Sequence, residues 1–168
     1  MEILGAPYGC MWDRGQDHQS IRRNFIEGTY EVGEAIDEQD PEHLKEELGD
    51  VLLQVVFHTQ MEKEKGVFDI GDVADGICKK LVFRHPHVFG TVDARDSGQA
   101  LNTWDAQKRE EKGQRTAADT LDSVARSLPA LMRAEQIQDK ARKAGFDWAE
   151  VGPALDKGGE GVGELGQA

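Results

Sequence analysis

The chain is expected to be all-α, a helical bundle, and three observations predict it. Apolar residues recur at helical spacing through most of its length. Residues that start and stop helices bracket those stretches. No stretch keeps the two-residue alternation of a half-buried strand, which leaves helix on helix as the simplest architecture. The 168 residues are enough for one real core, with length to spare for a partial second unit. A formal charge of −12 would repel a nucleic-acid duplex. No apolar run is long enough for a bilayer, and the first residues lack the basic-then-apolar pattern of a signal peptide. A cytoplasmic protein with neither nucleic-acid nor membrane partners is therefore expected. Cys10 and Cys78 are too few for a disulfide framework and lack the partners of a zinc site, so both thiols are read as packed.

Taken in order, residues 20–38 carry Ile21, Phe25, Val32 and Ile36 on one helical stripe, with Glu27, Glu31, Glu34 and Glu38 on the adjoining one. The next helix starts where Asp40 caps it, Pro41 occupies the first position and Glu42 meets the positive end of the dipole. It should run to about Lys65, where Gly66 stops it. A third helix begins near Asp69 and buries Ile70, Val73, Ile77 and Leu81. "HPHVFG" (85–90) breaks the pattern, and a polar loop reaches Ser97. A fourth helix carries Leu101, Trp104 and Lys108, and "GQRTAADT" (113–120) reads as a linker. Pro129 begins a further helix that Gly145 ends. His85 and His87 flank Pro86, but no Cys or His elsewhere has zinc-ligand spacing to them.

The second helix carries the chemistry. "ELGDVLLQVVF" (47–57) is apolar nearly all round after Asp50, as in a helix central to a bundle or a subunit interface. Glu47 and Asp50, three apart, share a face bordering that surface. Ionised carboxylates left dry and unpaired there would cost several kcal/mol, so something cationic should face them. An Arg or Lys partner, or a wetter face, would satisfy them. Adding Glu31 from the first helix makes the alternative: carboxylates at helical spacing on two helices form an oxygen-rich pocket suited to a hard divalent cation such as Mg²⁺.

Glu27-Gly28-x-x-Glu31 followed by Glu47-x-x-Asp50 resembles the metal motif of the MazG-type nucleoside triphosphate pyrophosphohydrolases, normally Glu-Glu-x-x-Glu and then Glu-x-x-Asp. "GCMWD" (9–13), "ELGDVLLQVVF" and "RHPHVFG" (84–90) are similar to further family stretches. "SLPALMRAEQIQ" (127–138) and "GFDW" (145–148) resemble the segment joining two MazG domains in longer members. The resemblance runs through the whole chain in order. It implies a dimeric all-α bundle that hydrolyses NTPs or dNTPs to the monophosphate and pyrophosphate with Mg²⁺ held by Glu31, Glu47 and Asp50. Glu27, on the outer flank, is the candidate to take a proton from the attacking water. By the same resemblance Lys80 and Arg84 contact phosphates, Trp104 stacks on the base and Lys108 meets phosphate. A basic helix face and a core tryptophan are the plain alternatives for these four. The phosphoribosyl-ATP pyrophosphohydrolases share the superfamily, but "RHPHVFG" and "GFDW" point away from them.

Gly28 stands where the family pattern has a second Glu ligand, which removes an oxygen and weakens the helix. "EGVGELGQA" (160–168) repeats "EGTYEVGEA" (27–35), so Glu160-Gly161-x-x-Glu164 mirrors the first motif. The expected organisation is a MazG-like catalytic domain at 1–112, a linker at 113–128, and at 129–168 an inter-domain helix with the incomplete start of a second unit. Gly158 and Gly159 are expected to interrupt the helix leading into it. Turnover is expected to be impaired. The alternative is a weak or inactive MazG-like protein that binds nucleotide or a partner.

Overall fold

A computed structural model describes residues 1–166; Gln167 and Ala168, the end of the repeated motif, lie outside the described residues. The all-α expectation holds. In order, the helices are α1 (Glu2–Gly5), α2 (Met11–Arg14), α3 (Arg22–Glu38), α4 (Pro41–Glu64), α5 (Ile70–Arg84), α6 (Pro86–Phe89), α7 (Ser97–Glu111), α8 (Ala117–Asp122), α9 (Ala130–Lys143) and α10 (Val151–Leu165). Two compact units divide the chain, Met1–Val82 and Phe83–Ala168, with the boundary inside α5.

The first unit is built on the hairpin of α3 and α4. Asp40 Oδ1 accepts from the backbone N–H of Glu42 at 3.0 Å and of His43 at 3.2 Å, and Pro41 fills the first position, so α4 begins where its sequence says it should. Gln39, at φ 58°, closes α3 in the left-handed conformation and leaves a two-residue connection. The helices run antiparallel: the Phe25 and His58 rings lie 5.7 Å apart, and a Cβ built on Gly28 would meet Val51 Cγ2 at 3.5 Å.

The α3 seam differs from the expected stripe. Ile21, Gly28 and Ala35, seven apart, are its buried residues, whereas Ile36 is 56% exposed. The physical reason is size. Gly28 and Ala35 let the α4 backbone come close, so the seam runs through small residues that a count of large apolar ones passes over.

The predicted burial of Ile70, Val73, Ile77 and Leu81 is overturned as well: on α5 they are 48, 37, 46 and 46% exposed. The spacing is right, but no helix of the first unit covers the stripe. For the same reason Cys78 on α5 is exposed and not packed, while Cys10 is partly buried. Near the N-terminus, Gly9 is dictated by geometry, because a Cβ there would sit 2.3 Å from the carbonyl oxygen of Leu4.

In the second unit, Asp96 caps α7 by accepting from Gln99 N–H at 2.8 Å. Residues 117–122, inside the expected linker, form α8 behind a capping box of Thr116 and Asp119. α8 packs on α9, and Val124 beyond it is buried. Gly145, at φ 91°, follows the end of α9. α10 corrects a further expectation, since it continues unbroken through Gly158 and Gly159. Each glycine disfavours helix by only about 1 kcal/mol, and Pro153 lies in the first turn, where its missing N–H is not needed.

Candidate active site

The α3–α4 register determines which acidic turns are level. Gly28 faces Val51, so Glu31, one turn along α3, comes level with Glu47, one turn back along α4. Asp50 adjoins Val51. Glu31 and Asp50 are exposed and Glu47 is partly buried. Glu27 lies on the outer face, paired with the Arg23 guanidinium at 2.7 Å. The hairpin thus brings the turns that carry Glu31, Glu47 and Asp50 together, but not the carboxylates themselves. Among the described residues no three His, Cys, Asp or Glu side chains converge as a metal-holding group.

That arrangement still fits magnesium. Mg²⁺ keeps several waters and is usually held by one or two carboxylates plus substrate phosphates, not by a closed protein cage. Gln54, one turn beyond Asp50, adds a buried Oε1 with no hydrogen-bond partner, a further oxygen on this stretch of α4. Glu31, Glu47 and Asp50 are the residues that would hold the ion.

The side chain found beside the acids is a histidine. His43 Nδ1 lies 3.0 Å from Glu38 Oε2, and its Nε2 lies 3.3 Å from Glu47 Oε1. The hydrogen bond to Glu38, reinforced by the charges of Glu38, Glu47 and Asp40, holds the imidazole above its usual pKa. The His-x-x-x-Glu spacing of 43 and 47 was the available signal for this contact.

A second histidine contact had no such signal. His18 and His58, forty residues apart, stack with their Nδ1 atoms 2.7 Å apart, and His18 Nε2 lies 2.6 Å from Glu62 Oε1. Lys65 Nζ donates to the same Glu62 oxygen at 2.6 Å. Burial, and then the charge of His18, push the pKa of His58 down. Glu62 is held below the usual carboxylate value by its hydrogen bonds to Lys65 and His18.

Lys80 is exposed on α5. Arg84, Trp104 and Lys108 are brought together within the second unit. The Arg84 guanidinium lies 5.0 Å from the centre of the Trp104 ring and Lys108 Nζ lies 4.5 Å from it, both in cation–π range. Arg84, 7% exposed, also forms an ion pair with Glu111 Oε2 at 2.7 Å. The indole faces are therefore crowded by cations, and the Arg84 charge already has a partner. Trp104 and Lys108 line one side of an open cleft of about 1000 Å³ between α7, α8 and α9.

The first unit is thus an all-α unit built on an antiparallel hairpin whose facing turns carry acidic residues. Residues 16–89 match the MazG nucleotide pyrophosphohydrolase domain. A protein of Escherichia coli (strain K12) named nucleoside triphosphate pyrophosphohydrolase is 45% identical over 157 residues, covering 94% of this chain and 60% of the relative. One of Thermotoga maritima, named nucleoside triphosphate pyrophosphohydrolase/pyrophosphatase MazG, is 44% identical over 168 residues, 100% of this chain and 64% of the relative. A Mycolicibacterium smegmatis protein named nucleoside triphosphate pyrophosphohydrolase is 37% identical over 145 residues, 85% of this chain and 44% of the relative. The matched stretch identifies a MazG domain in this chain, which spans under two thirds of the length of these relatives.

Proposed function

We propose that the chain hydrolyses nucleoside triphosphates, ribo- or deoxyribo-, to the monophosphate and pyrophosphate in the presence of Mg²⁺. The observation that carries this reading is the α3–α4 register, in which Gly28 meets Val51 and the turns of Glu31 and Glu47 come level. Bound Mg²⁺ would polarise phosphate oxygens and offset the substrate's charge, which a chain at −12 otherwise repels. Glu31, Glu47 and Asp50 would hold the ion. Glu27 would accept the proton of the attacking water, for which it must leave Arg23. Lys80 and Lys108 would meet phosphate, Arg84 would support them, and Trp104 would offer its ring to the base once a cation moves off it. The organisation into a catalytic domain at 1–112, a linker and the start of a second unit, a cytoplasmic location and a homodimer complete the proposal.

Gly28 separates two readings. A Cβ at 28 makes only ordinary contact with Val51, so Gly28→Glu has room to begin its side chain along the seam. Pyrophosphate release from a panel of NTPs and dNTPs should be measurable in the native chain. It should rise by at least about tenfold in Gly28→Glu, the scale on which metal-site partners act. Calorimetric Mg²⁺ affinity should tighten in parallel. Equal turnover in both forms would refute the missing-ligand reading. The second reading, a weak or inactive MazG-like protein that binds nucleotide or a partner, rests on Gly28 standing where the motif has a second Glu. Nucleotide binding with no release in either form would select it.

A further inference from the structure

The cleft between α7, α8 and α9 lies wholly in the second unit and beyond the residues matched to the MazG domain. Five basic residues line it: Lys108, Arg109, Arg115, Lys140 and Lys143. Lys143 is neutralised by Asp105 at 3.1 Å and Asp139 at 3.6 Å. Lys108 and Lys140 are not. Among the described residues neither has a carboxylate within ion-pair distance, and Lys140 Nζ donates instead to the Thr120 carbonyl at 3.0 Å and Ser123 Oγ at 2.9 Å. Burial, and then the charges of Lys112, Lys140 and Arg84, hold the Lys108 ammonium below its usual pKa, and burial followed by Lys112 does the same to Lys140. Asp105, Glu135 and Asp139 also line the cleft, and the charge of Asp105 acts on both ammonium groups, yet neither is ion-paired. Their mutual repulsion is relieved by an anion of high charge density.

We propose that this cleft is a binding site for a di- or triphosphate chain, held between Lys108 of α7 and Lys140 of α9. The proposal extends the substrate contact assigned to Lys108 onto α9 and takes its ligand class from the function proposed above. It needs neither metal nor turnover, so the two fail separately.

The test is calorimetric titration of the full chain, in buffer freed of divalent metal, with inorganic tripolyphosphate, pyrophosphate and orthophosphate. Tripolyphosphate and pyrophosphate should bind, orthophosphate more weakly, and rising salt should weaken all three. Lys140→Gln should weaken binding about tenfold, the loss of one charge-assisted hydrogen bond, while Lys140→Arg retains it. Because Lys140 also holds the end of α8, its variants are checked by thermal unfolding. Lys108→Gln, which breaks no hydrogen bond, should weaken binding as much. Glu47→Gln, in the first unit, should leave it unchanged. A nucleoside triphosphate that displaces tripolyphosphate assigns the cleft to the substrate. Pyrophosphate binding that nucleotide does not displace assigns it to the released product. No binding by the native chain, or equal binding by Lys108→Gln and folded Lys140→Gln, overturns the proposal. Loss of pyrophosphohydrolase activity with phosphate binding intact refutes the reaction and leaves the site.

Discussion

His58 carries a pH dependence that can be worked out from its surroundings. Its partner His18 uses Nε2 on Glu62 and Nδ1 on His58, with Lys65 beside the same carboxylate and Asp17 next to His18 in sequence. One proton shared between the two Nδ1 atoms satisfies both rings, and a second breaks the contact. The pKa of His58 is lowered on folding, so the unfolded chain binds the proton first as pH falls. Stability from this contact is present above the ordinary imidazole value of 6.5 and is lost as pH drops below it. Glu62, also lowered, loses its share only below 4.5. The melting temperature should therefore fall in two stages on acidification. In His58→Leu the first stage should disappear; a native-like decline between about pH 7 and 5.5 in that variant would refute the assignment. None of this was legible in the sequence, because a pairing across forty residues leaves no local period. Glu47 was legible as a group needing a partner, and the side chain beside it is His43, four residues away on the same helix.

At the level of elements, helix ends were easier to read than helix faces. Asp40, Pro41 and Gly66 bracketed α4 correctly because capping is local chemistry. The α3 seam was displaced from Ile36 to Ala35 because small residues govern how closely two backbones approach, and they carry little apolar signal. α10 was read as broken because five glycines stand among its fifteen residues, yet it is continuous. A Cβ at Gly158 or Gly159 would meet nothing within 4 Å. Replacing each with alanine should therefore stabilise α10 by up to about 1 kcal/mol. The check is far-UV circular dichroism, in which the double variant should gain helical signal. A loss would mean that these glycines serve a contact beyond the described residues.

Across the whole molecule, polar and apolar faces of the α3–α4 hairpin are inverted relative to a self-sufficient bundle. The side of α4 turned to α3 and the His18 segment includes His43, Glu47, His58 and Glu62, whereas Leu48, Leu52 and Leu53 are 51, 59 and 46% exposed. With the exposed stripe of α5, these residues leave large apolar side chains uncovered on the first unit. The proposed homodimer would cover it. Sedimentation should then give twice the chain mass, and Leu52→Glu combined with Ile77→Glu should yield a monomer or an aggregate. A native chain that sediments as a monomer would refute the dimer. The all-α class could be read from spacing alone. The covering of these faces could not, because a buried stripe looks the same in sequence whether its cover comes from the same chain or from another.

The connection of Gln39 and Asp40 acts as a ratchet pin for the hairpin. Each residue added to a helix swings every later side chain by about 100°, so one extra residue between Ala35 and Asp40 would turn the α4 acids away from Glu31 while deleting none of them. An insertion there would test the proposed site as a whole, where a substitution tests a single carboxylate.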